Sequence, residues 1–525
     1  MMDVSDISTT GCLPDSSGLA APGSVEEKQI FRSLQQEFEF QFRYVFPNRV
    51  APKTVVIVPS MTLDREILSK VKGHVYYEER LLCLLMLLRM PQTNVVYISS
   101  VPVDQVTIDY YLHLLPGITG NHARQRLTML SCYDASAKPL TEKILERPRL
   151  LNRIKQNVSD ADHCHMVCFN VTERERTLAV RLGIPIYGCD PDLTYLGSKT
   201  GARLLFKECG VPLPDGFENL MNENDILDAL VRLKSKKPNL KKAILKLNDG
   251  FSGEGNAIFV YPYVTSTEQL EESIRLSLHD IHVVSGVSSF LFFDKFRKEG
   301  GVVEEYIDAE VKFSPSAQCR INPLGEVEVV STHDQVLGGE QNQIFVGATF
   351  PARSEYAKEI GALATVISKK MGEKGVLGRF SIDFLSTFEN NRWHHSAIEI
   401  NLRKGGTTHP FLMLQFLTDG KYDAFSGKYV MQNGQSRYYY ASDNVVSKAY
   451  QGLTPADLID IAMFHGIMFD NFTQEGVMFH LIGAVSQYGK FGMVCIAETP
   501  ERVELLYKKT IEILDCECVS NALLL

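Results

Sequence analysis

No apolar run in this sequence is long enough for a membrane helix, and residues 1–25 have Ser, Gly and Pro without a basic segment followed by an apolar one. A membrane protein and a secreted one are thus not expected, and the expectation is a cytoplasmic chain with a flexible tail over residues 1–28. An excess of basic charge is also missing. Lys and Arg number 54 against 63 Asp and Glu, a formal charge of −9, which argues against nucleic acid as a partner. The eleven cysteines are scattered and odd in number, which suits reduced thiols rather than a disulfide framework. No internal repeat is found.

What is present is a soluble globular composition, 45% apolar and 22% charged over 525 residues. That length implies two or three compact units, with function at an interface between them. Residues 54–58 and 94–98 read as short buried strands with a helical pattern over 79–88 between them, the pattern of an open α/β sheet. The chain divides by pattern into the tail, an α/β unit at 29–196, a mixed unit at 197–430 and a small α+β unit at 431–525. In the last, residues 455–469 and 500–514 read as helices and 476–482 and 491–496 as strands.

Polar residues inside apolar strands concentrate in the third unit. Lys246 and Asn248 share one face of a strand whose other face holds Leu245 and Leu247, and a turn containing Gly250, Ser252, Gly253 and Gly255 follows. An edge strand in water explains the lysine alone. The glycine turn adds a second reading, with backbone N–H groups closing over phosphates that the lysine neutralises. Over 301–310, alternation sets Glu304, Tyr306, Asp308 and Glu310 on one side, which reads as a solvated face or as a hinge strand that meets an adenine edge and ribose hydroxyls. In the segments 378–384 and 397–403, Asp383 joins Glu399, Asn401 and Arg403, the last three on one strand face. Hard oxygen ligands of this kind suit Mg²⁺, with Mn²⁺ as the alternative, and the arginine fork suits a transferred phosphoryl group. A salt-bridge stripe would explain the charges but not the amide between them.

Taken in order, Lys246, the Gly250–Gly255 turn, the run 303–307, Asp383 and the run 399–403 resemble the ATP-grasp superfamily. The flanking runs 77–82, 476–481 and 489–492 resemble those of the pheganomycin-type peptide ligases. This resemblance implies a pre-ATP-grasp α/β domain, a central ATP-grasp fold and a small α+β C-terminal domain. It further implies an enzyme that activates a small carboxylate with ATP as an acyl phosphate and joins it to the amine of an amino acid or peptide, releasing ADP and phosphate. Lys199 and Lys246 would then hold phosphates, and the backbone of Glu305 and Ile307, beside Glu304 and Tyr306, would hold adenine. Glu310 would hold ribose, Asp383, Glu399 and Asn401 would hold Mg²⁺, and Arg403 would steady the acyl phosphate. Thr408 and His409 are expected near substrate only from their place in the catalytic region, where structural polar groups are an equal account. A thiol acceptor on a carrier protein and a non-catalytic nucleotide-binding scaffold are the alternatives, and a homodimer is allowed.

Other runs have plainer explanations. His163, Cys164, His165 and Cys168 alternate across a strand and read as buried side chains rather than metal ligands. The lysines at 234–242 read as a solvated turn, and Cys516 and Cys518 as ordinary thiols. His333, Asp334 and Gln335 fall in the catalytic region and are equally well satisfied structural polar groups.

Overall fold

Residues 53–58 are apolar at nearly every position, so the segment must be covered on both faces. A computed structural model, which describes residues 20–63, 65–158, 160–250, 255–263, 269–284, 287–338 and 344–522, makes it an inner strand. Strand β1 (Lys53–Val58) lies between β2 (Thr93–Ser99) and a later strand, Cys164–Cys168; with β3 (Leu127–Ser131) and the last numbered β4, the sheet is wholly parallel in the order β3-β2-β1-β4. Cys164 and Cys168 turn to one buried face and His165 to the other, where its ring stacks on Phe38. The helix preceding β1 starts at Val25, inside the stretch that composition assigns to the tail. Its N-cap explains the difference: Ser24 Oγ accepts from Glu27 N (3.1 Å), and the buried Glu27 carboxylate accepts from Gly23 N (2.7 Å).

The next sheet is antiparallel, with β5 (Gly216–Leu220), β6 (Lys242–Leu247), β7 (Asn256–Val260), β8 (His282–Val283) and β9 (Gly301–Glu305) in the order β5-β9-β6-β7-β8. Leu245 and Leu247 pack with Ile226, Leu230 and Phe296 from helices covering one face, which turns Lys246 to the other. The acidic run at 301–310 is not one strand. It leaves the sheet after Glu305, and Glu304, on the face expected to be solvated, is 2% exposed.

A nine-stranded sheet completes the fold. It contains β10 (Lys312–Phe313), β11 (Pro315–Ile321), β12 (Val327–Gly338), β13 (Ile344–Phe350), β14 (Gly378–Glu389) and β15 (Arg392–Asn401). A two-stranded ribbon, β16 (Lys421–Asp423) and β17 (Lys428–Val430), stands apart, and β18 (Tyr438–Val446), β19 (Gly476–His480) and β20 (Lys490–Ala497) extend the large sheet in the order β10-β14-β11-β12-β13-β18-β20-β19, with β15 on β14. The boundary drawn at residue 431 therefore falls within one continuous sheet, because Ala348 of β13 pairs with Ala441 of β18. The C-terminal strands also share a core with the helical segment His74–Arg89 of the first unit. Pairing between distant strands leaves no mark on local periodicity, which is why this continuity was not legible.

Candidate active site

A cleft of about 680 Å³ separates the five-stranded sheet from the nine-stranded one, lined by Ile244, Lys246, Asn256 and residues 304–307 on one side and by Phe313, Gln335, Leu337, Asp383, Leu385 and Glu399 on the other. Its floor is the β14–β15 pair. Asp383 and Glu399 are directly opposite in the ladder, as are Ser381 and Asn401, so two carboxylates and an amide meet on one face. Asn401 Nδ2 donates to Asp383 Oδ2 (2.9 Å), and Arg403 Nη2 donates to Asn401 Oδ1 (3.3 Å).

The electrostatics distinguish the two acids. Burial, then the facing Glu399, pushes Asp383 up to about 6 against the pull of hydrogen bonds from Ser316 and Gln335. Burial acts on Glu399 too, yet Lys199 at 2.5 Å, with Lys246 and Arg403 beyond, outweighs it and holds that carboxyl below its ordinary range. Two half-buried carboxylates facing each other, with Lys199 paired to only one of them, suit a divalent metal, which would relieve the repulsion that raises Asp383. Asn401 fits that role less well: it presents N–H to Asp383, and its oxygen already accepts from Arg403.

Lys199 opens the helix Lys199–Glu208, whose Ser198 cap accepts from Gly201 N (3.0 Å). Asn248, just past β6, fastens that helix end to the other sheet, accepting from Thr200 N through its side chain (3.0 Å) and from Lys199 N through its carbonyl (3.2 Å). Lys246 pairs with Glu304 Oε2 (2.5 Å), and Arg203 holds the other oxygen (2.6 Å). Together these cations overcome burial and keep Glu304 ionised. Glu304 is thus an anchor for Lys246 rather than a nucleotide ligand. The Glu305 carboxylate likewise turns to Asp215 N (2.8 Å) and Lys237. Ile307 lines the cleft, and its N–H donates to no group among the described residues. The ring of Tyr306 lies between Lys242 and Lys312.

Other expected residues are elsewhere. Glu310 and Asp308 are exposed and do not line the cleft, because the chain turns away from the sheet before reaching them. Ser252 and Gly253 lie outside the described residues; Gly250 and Gly255 pinch the ends of their turn, with Leu247 N donating to Gly255 O (2.9 Å). Thr408 accepts from Gly405 N (3.0 Å), and His409 is buried near Asp443, away from the cleft. Of the three residues at 333–335, His333 bonds Tyr439 (2.5 Å) and Asp334 bonds Tyr356 (2.6 Å), while Gln335 reaches Asp383. Sequence reasoning missed Arg203 and Ser316, neither of which breaks a local pattern.

The chain matches the family model described as IQCH-like, ATP-grasp over residues 191–281 and 288–424, the span that builds this cleft, and the PGM1 C-terminal domain over 457–510. Residues 191–424 thus carry an ATP-grasp domain. It is 28% identical over 463 residues to the L-propargylglycine–L-glutamate ligase of Streptantibioticus cattleyicolor, covering 86% of this chain and 92% of that protein. It is 21% identical to IQ motif-containing protein H of Danio rerio over 89% of the chain, spanning 49% of that longer protein. In fold this ATP-grasp chain is similar to a biotin carboxylase from Campylobacter jejuni (TM-score 0.50, 13% identical, covering 86% and 89% of the two chains). It is also similar to the biotin carboxylase domain of the Hydrogenobacter thermophilus 2-oxoglutarate carboxylase (TM-score 0.52, 12% identical, covering 88% and 89%).

Proposed function

We propose that this ATP-grasp protein is an ATP-dependent carboxylate–amine ligase that activates a small carboxylate as an acyl phosphate and passes it to the amine of an amino acid or peptide. The observation that carries this reading is the facing pair Asp383 and Glu399 with Lys199, Lys246 and Arg403 converging on it. The relative that joins propargylglycine to glutamate supports the substrate class.

Lys199, paired with the half-buried Glu399, and Lys246, paired with the buried Glu304, hold the nucleotide phosphates, and the Ile307 backbone meets the adenine edge. Asp383 and Glu399 would hold Mg²⁺, which would supply charge neutralisation at the phosphates. Arg403 orients the donor carboxylate for in-line attack on the γ-phosphorus and then faces the oxyanion formed when the amine adds. The C–N bond forms as the C–O bond to phosphate breaks, so no enzyme nucleophile is needed.

Incubation with ATP, Mg²⁺ and pools of amino acids tests the reading by mass. Products one water lighter than the summed substrates are expected, with ADP released and one ¹⁸O moving from labelled donor carboxylate into phosphate. AMP with pyrophosphate and unlabelled phosphate would refute it.

A further inference from the structure

Three sequence runs that the ATP cleft does not use meet in space. Tyr77, Glu79 and Arg80 of the helical segment His74–Arg89 each reach the C-terminal strands and their connections. Lys490 Nζ donates to Tyr77 Oη (2.7 Å), Gly483 N donates to Glu79 Oε2 (3.1 Å), and Arg80 Nε lies 3.2 Å from Asp443 Oδ2. The other oxygen of Asp443 accepts from His480 Nε2 (2.8 Å) and lies 3.2 Å from His409 Nε2.

His409, Asp443 and His480 resemble a ligand set for a metal, all three buried. A metal on both Nε2 atoms would leave a proton on each Nδ1, and both Nδ1 atoms are buried without a partner. Metal-bound imidazoles ordinarily donate that proton to an acceptor. The cluster therefore serves as a mount, with Asp443 as an anion that His480 hydrogen-bonds, that His409 packs beside, and that pairs with Arg80.

Arg80 is 8% exposed, with its guanidinium 4.3 Å from the Tyr77 ring centre and 5.5 Å from that of Phe169. Its Nε is buried against Asp443, whereas its two terminal nitrogens remain accessible and donate to no group among the described residues. The neighbourhood is rich in cations. Arg403 is close enough to repel Arg80, Lys404 Nζ donates to the Cys168 carbonyl (2.5 Å) rather than to an acid, and Arg379 Nη1 is buried without a partner. Buried positive charge in excess of its acids is unfavourable until an anion arrives. Lys404, next to Arg403 in the chain, donates its N–H to the Phe169 carbonyl (3.1 Å), and the ring of that same Phe169 lies under the Arg80 guanidinium, so Arg80 stands beside the Arg403 end of the cleft.

We propose that the Arg80 fork binds the carboxylate of the incoming amine substrate, so that the acceptor is an α-amino acid or a peptide whose free carboxylate positions its amine for attack. This rests on the ligase reading above. In the step it serves, the amine lone pair forms the C–N bond, phosphate leaves with the C–O electrons, and the ammonium proton passes to solvent.

Hydroxylamine separates the two claims, being an amine without a carboxylate that converts an acyl phosphate into a hydroxamate. Wild type, Arg80→Lys and Arg80→Gln are compared with ATP, Mg²⁺ and the twenty amino acids, with and without hydroxylamine, reading hydroxamates and amides by mass. Losing a bidentate charge-assisted contact should raise the hydroxamate-to-amide ratio about 10- to 100-fold in Arg80→Gln, with partial recovery in Arg80→Lys. In wild type, amino acid α-amides as acceptors should show a comparable rise in KM over the free acids, a measurement independent of how the variants fold. An unchanged ratio, or α-amides used as well as free acids, would overturn the role of Arg80. Absence of hydroxamate in wild type would instead overturn the ligase reading.

Discussion

At the scale of single residues, charge placement separates stability from turnover. Asp383 is raised because it is buried opposite Glu399, so Asp383→Asn should relieve repulsion in the metal-free protein while removing a metal ligand. We expect an unchanged or higher Tm with turnover reduced more than about 100-fold, and Glu399→Gln should lose turnover similarly. Thermal melts without Mg²⁺ alongside product assays check this, and near-wild-type turnover in both variants would remove the metal assignment. Glu304 makes the opposite case, since its carboxylate sits between Lys246 and Arg203 at 2.5 and 2.6 Å. Glu304→Gln leaves two buried cations without their counter-charge and should destabilise the fold by about 3–5 kcal/mol. It should also weaken ATP, through a displaced Lys246. Denaturant unfolding and calorimetry measure the two effects, and a variant as stable as wild type would contradict the anchoring role.

At the scale of elements, the helix Lys199–Glu208 depends on how closely its first turn approaches the preceding segment. A Cβ on Gly201 would fall inside the Tyr195 carbonyl oxygen, and backbone cannot move aside as a flexible side chain can. Gly201→Ala should therefore displace Lys199 from Glu399 and raise the Kd for ATP at least about tenfold, readable by calorimetry; unchanged affinity would show that the helix end tolerates the shift. Much at this scale was legible locally. The run 397–403 has one apolar and one polar face because a strand side chain alternates every residue; Glu399 lines the cleft, and Asn401 and Arg403 follow it in a hydrogen-bonded row from Asp383. Residues 301–310 obey the same alternation but not the same structure. Where a strand stops depends on its neighbours, and β5 and β6 give β9 partners only as far as Glu305.

For the molecule as a whole, the first unit and the C-terminal strands are joined through a shared core and through buried acids. Glu79 is pushed up to about 8, chiefly by burial, and Glu78 to about 7. A carboxyl that ionises near 4.5 in the unfolded chain and near 8 in the fold leaves the folded state holding the extra proton between those values. Stability should therefore fall as pH rises through that window, by at most about 1.4 kcal/mol per pH unit for each such group. Glu79→Gln, neutral throughout, should flatten the slope of Tm between pH 5 and pH 8, and a slope equal to that of wild type would show that Glu79 is ionised in the fold. From sequence alone came the resemblance to the ATP-grasp superfamily, carried by the order of its motifs, together with the open α/β pattern of the first unit and the polar face of 399–403, both of which depend on alternation within a few residues. Only the tertiary structure decided that Glu304 anchors Lys246, that Glu310 is off the cleft and that Arg80 meets Asp443. Those are contacts between segments far apart in the chain, and burial and charge pairing exist only once such segments meet.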